Sequence, residues 1–302
     1  SSLPQTPGKP ITTALPAPHS GPLASASKRL ASGRPEDHGS FLLLAANEDA
    51  LHWRLALIDS ASSSLDIQLY LWQSGAASQL LFDRILKAAQ RGVRVRILVD
   101  DFLFQGDEKT LASVCRHHPN IDIRIFNPSS IRNSRLGAAV EFLCKFRRLN
   151  RRMHNKTWTA DRLFTIVGGR NVHDHYYGLD DHYNFLDLDV LACGPMVNEV
   201  ATGFDLFWNA AQSRSGAQLS RRGTAEDLEE LKAQLATALT EHQNDKLRQF
   251  PVAPQDWSQE LAGLPARMTT GRAQFLQDHP DPQKDDRRVV TSLQQMTSNQ
   301  QG

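Results

Sequence analysis

Cysteine is scarce in this sequence: of 302 residues, only Cys115, Cys144 and Cys193 carry a thiol. An odd, widely spaced set excludes a disulfide framework and paired-cysteine metal sites, and leaves buried free thiols as the plain reading. Long apolar runs are missing too. None reaches the roughly 20 residues that a spanning helix needs, so membrane work would require another means of attachment. Nor is there an excess of either charge. The 34 basic and 33 acidic side chains leave a net charge of +1, which excludes a uniformly basic nucleic-acid coat but not a local basic patch. What remains is ordinary for a folded protein, with 40% hydrophobic and 22% charged residues in a length that suits one large domain or two modest ones.

The first 40 residues are rich in Pro, Ser, Gly and Ala and read as a disordered tether, residues 1–40, because such composition buries too little apolar surface to fold. From Asn47 the pattern becomes regular. Ala50, Leu51, Leu55 and Ile58 mark one helix face, with Asn47 as its N-cap. LDIQLYLW alternates from Leu65 to Trp72 as a strand does. A helical period from Ala76 to Arg91 stops at Gly92, a suitable left-handed terminator. The run VRVRILVDD is a second strand, residues 107–117 a helix ending before Pro119, and IDIRIF a third strand. LFTIVGG and LDLDVLACG add two more, and a helix opens at Pro195. This alternation predicts an α/β class fold: an α/β/α layered sandwich over residues 41–212, with right-handed crossovers. Residues 213–302 are expected to be a helical and loop-like connector.

The chemistry concentrates in RLNRRMHNKTWTADRLFTIVGGRN, residues 148–171. His154, Lys156 and Asp161 satisfy H-x-K-x4-D, followed by Gly168, Gly169, Arg170 and Asn171. Residues two apart in an extended chain share a side, so imidazole and ammonium are presented together. A phosphodiester calls for that pair: a neutral imidazole attacks phosphorus while an ammonium holds a non-bridging oxygen. Histidine serves because its ordinary pKa of about 6.5 makes both protonation states accessible. The glycines are read as allowing close backbone approach to phosphate, Asn171 as an amide donor, and Arg170 as a further phosphate contact. Tyr70 is assigned to the pocket at the end of the first strand. No other histidine is followed by lysine two residues on.

These residues resemble the HKD motif of the phospholipase D superfamily. The flanking runs RGVRVRILVDD, IRIFNP, VGGRN and LDLDVLACGPMV resemble the first half of bacterial cardiolipin synthases of the C type. The resemblance implies two-step transfer without metal or cofactor, in which one motif histidine forms a phosphohistidine and a second, from another motif copy, protonates the leaving alcohol. It implies a structural role for Asp161, and of Asp187 and Asp189, which alternate along a strand and offer a carboxylate to orient the imidazole, it selects Asp189. It also implies a phosphatidylglycerol-like phospholipid substrate, a membrane surface, and a second HKD half or homodimer partner. A homodimeric nuclease and an inactive single-motif module remain as alternatives, with nucleic acid the less favoured substrate.

Beside the motif, the run Lys145, Arg147, Arg148, Arg151 and Arg152 is expected to meet an anionic headgroup. His173, Asp174, His175, Asp180, Asp181 and His182 fit no metal-site spacing and read as a polar loop rimming the site. The opening SSLP resembles the residues after the lipid-modified cysteine of bacterial lipoproteins. That predicts a periplasmic, membrane-anchored protein, with the cytoplasmic face of the inner membrane as the alternative.

Overall fold

The computed structural model describes residues 10–100, 108–128, 152–218, 223–243 and 245–281. Its first elements are α1 (Pro22–Ala31), β1 (Gly39–Leu44), α2 (Asn47–Ser60), β2 (Ser64–Leu69), α3 (Ala76–Gln90), β3 (Arg94–Asp100), α4 (Glu108–His117) and β4 (Ile121–Phe126). There follow β5 (Thr157–Ala160), β6 (Phe164–Gly168), β7 (Asp189–Cys193), α5 (Met196–Asn209), β8 (Ser213–Ser215), α6 (Ala225–His242), α7 (Ser258–Arg267) and β9 (Thr269–Gly271). The described strands form one sheet in the order β8-β4-β3-β2-β5-β6-β7-β1-β9. Pairing is parallel for β2-β3 and β3-β4, and antiparallel elsewhere. The expected α/β sandwich is what the chain forms.

Alternation along β2 divides its side chains between two cores. Leu65, Ile67 and Leu69 join the larger one, shared with α1, α2, α3, α4, α6 and α7. On the opposite face α5 supplies Phe204, Phe207 and Trp208, which pack with Leu98, Phe126 and Met153. Asp66 and Gln68 point to that second face and are nonetheless buried. Asp66 is matched there by Arg96 in a two-pronged ion pair at 2.6 and 2.7 Å, the geometry that makes burial of both charges tolerable. Gly92 ends α3 at φ +96°, the left-handed turn that its lack of a Cβ permits.

Two segments differ from the sequence reading. Residues 1–40 are expected to be a tether, yet from Pro10 the segment is part of the fold. Leu23, Ala26 and Leu30 of α1 share one helix face and enter the main core. Further upstream, extended backbone is held by side chains. Trp208 Nε1 donates to Thr12 Oγ1 at 2.8 Å, Arg124 to the Pro10 carbonyl at 2.8 Å and Arg96 to the Thr12 carbonyl at 3.1 Å. Composition misleads here because proline-rich chain lacks internal hydrogen bonds, not the ability to accept them from a neighbouring surface.

Residues 213–302 are expected to be a connector, but β8 and β9 complete the two edges of the sheet. α6 is fixed by a capping box between Thr224 and Asp227 and buries Leu228, Leu235 and Leu239. Such three-residue edge strands carry too little periodicity to be read from sequence.

Candidate active site

The motif begins just before β5 rather than on it, in the irregular segment Met153–Lys156. Asp100, fully buried at the end of β3, fixes the entry. One carboxylate oxygen accepts the Met153 N–H at 2.9 Å, and the other accepts from Arg152 at 3.1 Å. The His154 ring then lies on Tyr70, with centroids 4.1 Å apart and planes tilted by 30°. Lys156 sits on the same platform, its Nζ 5.4 Å from the centre of the Tyr70 ring, within cation–π range. That Nζ also donates to the His154 carbonyl at 2.5 Å. Imidazole and ammonium thus flank one aromatic ring. Tyr70, assigned to the pocket from sequence, is the surface they share.

The electrostatics favour a neutral imidazole. Partial desolvation first, and then the Lys156 cation, lower the His154 pKa below its ordinary value, with Asp100 pulling the other way. Desolvation likewise lowers the Lys156 pKa, opposed by Asp187. His154 itself is exposed and Lys156 half-buried, so the pair faces solvent at the carboxyl ends of β2 and β3.

Asp161 stands apart from that pair. Its carboxylate accepts the backbone N–H groups of Ser62, Ser63 and Ser64 at 2.7–3.2 Å, and the Ser62 hydroxyl at 2.9 Å. It is 1% exposed and ties the β5-β6 turn to the start of β2. Asp161 and Arg162 hold φ of 53° and 54° in that turn, a strained pairing that the three N–H bonds offset.

Several sequence assignments change. Arg170 is fully buried, donating to the carbonyls of Leu44 and Ala45 at 2.9 and 2.7 Å and pairing with Asp189 at 3.5 Å. It braces the fold and is out of reach of a phosphate. Asp189 is buried as well and accepts from Arg54 at 3.0 Å, so its charge is taken up in the core instead of orienting an imidazole. The carboxylate beside the site is Asp187: a Cβ on Gly169 would stand 2.0 Å from its Oδ1. A Cβ on Gly168 would stand 2.0 Å from Asp189 Oδ1. Both positions need glycine for these carboxylates, and their N–H groups already serve Lys156 and Leu188 carbonyls at 3.3 and 3.1 Å. Asn171 accepts from Leu71 N–H at 2.9 Å and donates to the Tyr176 hydroxyl at 3.2 Å, which locks the strand ends together.

Arg148 and Arg151 lie outside the described residues, as do Lys145 and Arg147. Arg152 is half-buried on Asp100. In the His173–His182 loop, Asp174 accepts the first N–H groups of α3 at 3.1 and 2.9 Å, a helix cap supplied from a distance. His175 stacks on Tyr183. Tyr183, Phe185, Leu186 and Leu188 flank Asp187 and are all exposed. Sequence reasoning missed Asp100 as an anchor. The acidic end of VRVRILVDD was its only signal.

The family model described as cardiolipin synthase, PLD-like domain matches residues 55–208, just over half of the chain. The chain belongs to that family. It is 44% identical to cardiolipin synthase C of Escherichia coli (strain K12) over 186 residues, 62% of this chain and 38% of that protein. An uncharacterized protein of Helicobacter pylori (strain ATCC 700392 / 26695) is 32% identical over 87% of this chain and 52% of its own length. The chain therefore spans about half or less of the curated relatives it matches. Among solved structures, phosphatidylserine synthase of Haemophilus influenzae Rd KW20 aligns with a TM-score of 0.45 and 12% identity, over 73% of this chain and 49% of that one. No described helix is long and apolar enough to cross a membrane.

Proposed function

We propose that this domain is one half-site for phosphodiester transfer on membrane phospholipids, of the cardiolipin synthase kind. The observation that carries the reading is the exposed His154 imidazole stacked on Tyr70 beside the Lys156 ammonium, within a chain of this family. One imidazole nitrogen attacks the phosphorus of a phosphatidyl group such as phosphatidylglycerol, and the bond from phosphorus to the headgroup oxygen breaks. A second histidine, from a docked second half or a second copy of this chain, gives its proton to the departing alcohol. That histidine next takes the proton of an acceptor hydroxyl, whose oxygen attacks phosphorus and frees His154. Lys156 holds a non-bridging oxygen as charge builds there. The exposed Tyr183, Phe185, Leu186 and Leu188 on the rim suit contact with a lipid surface.

The test compares parent and His154→Ala on phosphatidylglycerol vesicles and, separately, on plasmid DNA. Headgroup release or exchange on the lipid, abolished in His154→Ala at an unchanged thermal midpoint, is the expected result. Cleavage of DNA with the lipid untouched would make this a nuclease, and a His154→Ala variant within a few-fold of the parent would remove the nucleophile assignment.

A further inference from the structure

Of the four residues in the motif segment Met153–Lys156, three are restrained from within the family region: Met153 by Asp100, His154 by Tyr70, and Lys156 through its carbonyl by Gly168. Asn155, between the histidine and the lysine, is restrained from elsewhere. Its Nδ2 donates to Gln277 Oε1 at 2.9 Å. Gln277 lies well beyond residue 208, where the family match ends.

The path that brings Gln277 there is anchored on both sides. β9 pairs with β1, Gly271 opposite Gly39, and the chain then crosses α5. Phe275 N–H donates to the Glu199 carboxylate at 2.8 Å, and the Gln212 amide donates to the Pro280 carbonyl at 3.2 Å. Between these two anchors the Gln277 side chain lies over Gly203 of α5. A Cβ at Gly203 would stand 2.3 Å from Gln277 Nε2 and 2.6 Å from its Cδ. Gly203 is buried in mid-helix, where glycine is otherwise a weak choice. The missing Cβ is what gives the amide its seat.

We propose that residues 269–281 are a strap across α5 whose Gln277 is a positioning residue for the His154–Lys156 segment. Gln277 touches no reacting atom in the chemistry described above. It fixes the Asn155 side chain, and with it the backbone that sets the His154 ring on Tyr70 and the Lys156 ammonium beside it. A displacement of that segment by a fraction of a side chain's width is enough to slow chemistry that depends on alignment. The catalytic consequence rests on the phosphodiester-transfer reading; the positioning of the segment does not.

Gly203→Ala separates positioning from stability. The added methyl meets only the far end of a flexible side chain, and alanine favours the helix, so the thermal midpoint should stay at or above that of the parent. Gln277 loses its seat, and the His154 imidazole resonances should shift in NMR, with its titration moving upward as the ring leaves Tyr70. On phosphatidylglycerol vesicles kcat should fall about tenfold with KM nearly unchanged. Gln277→Ala should do the same, whereas Gln277→Glu keeps an acceptor oxygen for Asn155 and should restore the parental contacts between the His154 and Tyr70 rings, with the added carboxylate raising the His154 titration. Parental His154 resonances in both Gly203→Ala and Gln277→Ala would overturn the proposal, as would Gln277→Glu behaving like Gln277→Ala. A parent without lipid turnover would count against the substrate reading alone, since the His154 spectra judge the strap without it.

Discussion

At the scale of single residues, His154 is governed by its neighbours' charge as much as by its own chemistry. Desolvation and Lys156 favour the neutral ring, and Asp100 favours the protonated one. On the proposed reading the neutral form is the nucleophile, so activity should persist as pH falls to the ordinary histidine value of 6.5 and fail only below it. On the same reading the second histidine must hold the proton it gives to the departing alcohol, so its deprotonation sets the alkaline limb before that of Lys156, whose own pKa desolvation lowers. NMR titration of the imidazole checks the assignment without turnover. Lys156→Met should move the His154 titration up, and Asp100→Asn should move it down. Opposite movements would mean that other groups set its charge.

At the scale of elements, Asp161 shows how a motif residue acts at a distance from the chemistry. Three N–H groups at the start of β2 and one hydroxyl converge on its carboxylate, and it also holds the turn between β5 and β6. Asp161→Ala strands those donors with little water to replace the acceptor. It should cost about 3 kcal/mol, the scale of losing a buried charged acceptor with several partners. Chemical denaturation reads this as a lower midpoint with an unchanged slope. A loss of turnover at parental stability would instead give Asp161 a part in proton transfer.

At the scale of the whole molecule, the single histidine–lysine pair decides what one copy does. Transfer through a phosphohistidine needs a nucleophile and an acid on opposite sides of phosphorus, and only His154 in this sequence has a lysine two residues on. A monomer of these residues should be nearly inactive. Specific activity should rise with concentration in step with dimer formed about a two-fold axis, which would bring two copies of His154 together. Sedimentation velocity and a lipid assay on the same samples test this. Full activity in a monomeric sample would show that one half is sufficient.

What the sequence determined is local and chemical. Spacing alone brought His154 and Lys156 together, since two positions of chain leave little freedom, and it set Asp161 at the other end of β5. The periods of β2, α3, β3, α4 and β4 announced an α/β sheet because each element is long enough to repeat its pattern. The uses of Arg170, Asp189 and the paired glycines were decided only in three dimensions. A buried arginine and a phosphate-binding one look alike in sequence, and only the packing of α2 against β7 shows that Arg54 and Arg170 already share the Asp189 charge. The same holds for the segments at either end. Thr12 is held by hydrogen bonds from Trp208 and Arg96, nearly 200 and 84 positions away, and Gln277 by one from Asn155, more than 120 positions away; contacts of that range leave no period in the chain. Sequence dictates what repeats within a few residues; long-range hydrogen bonds and buried charge pairs exist only once the sheet has closed around them.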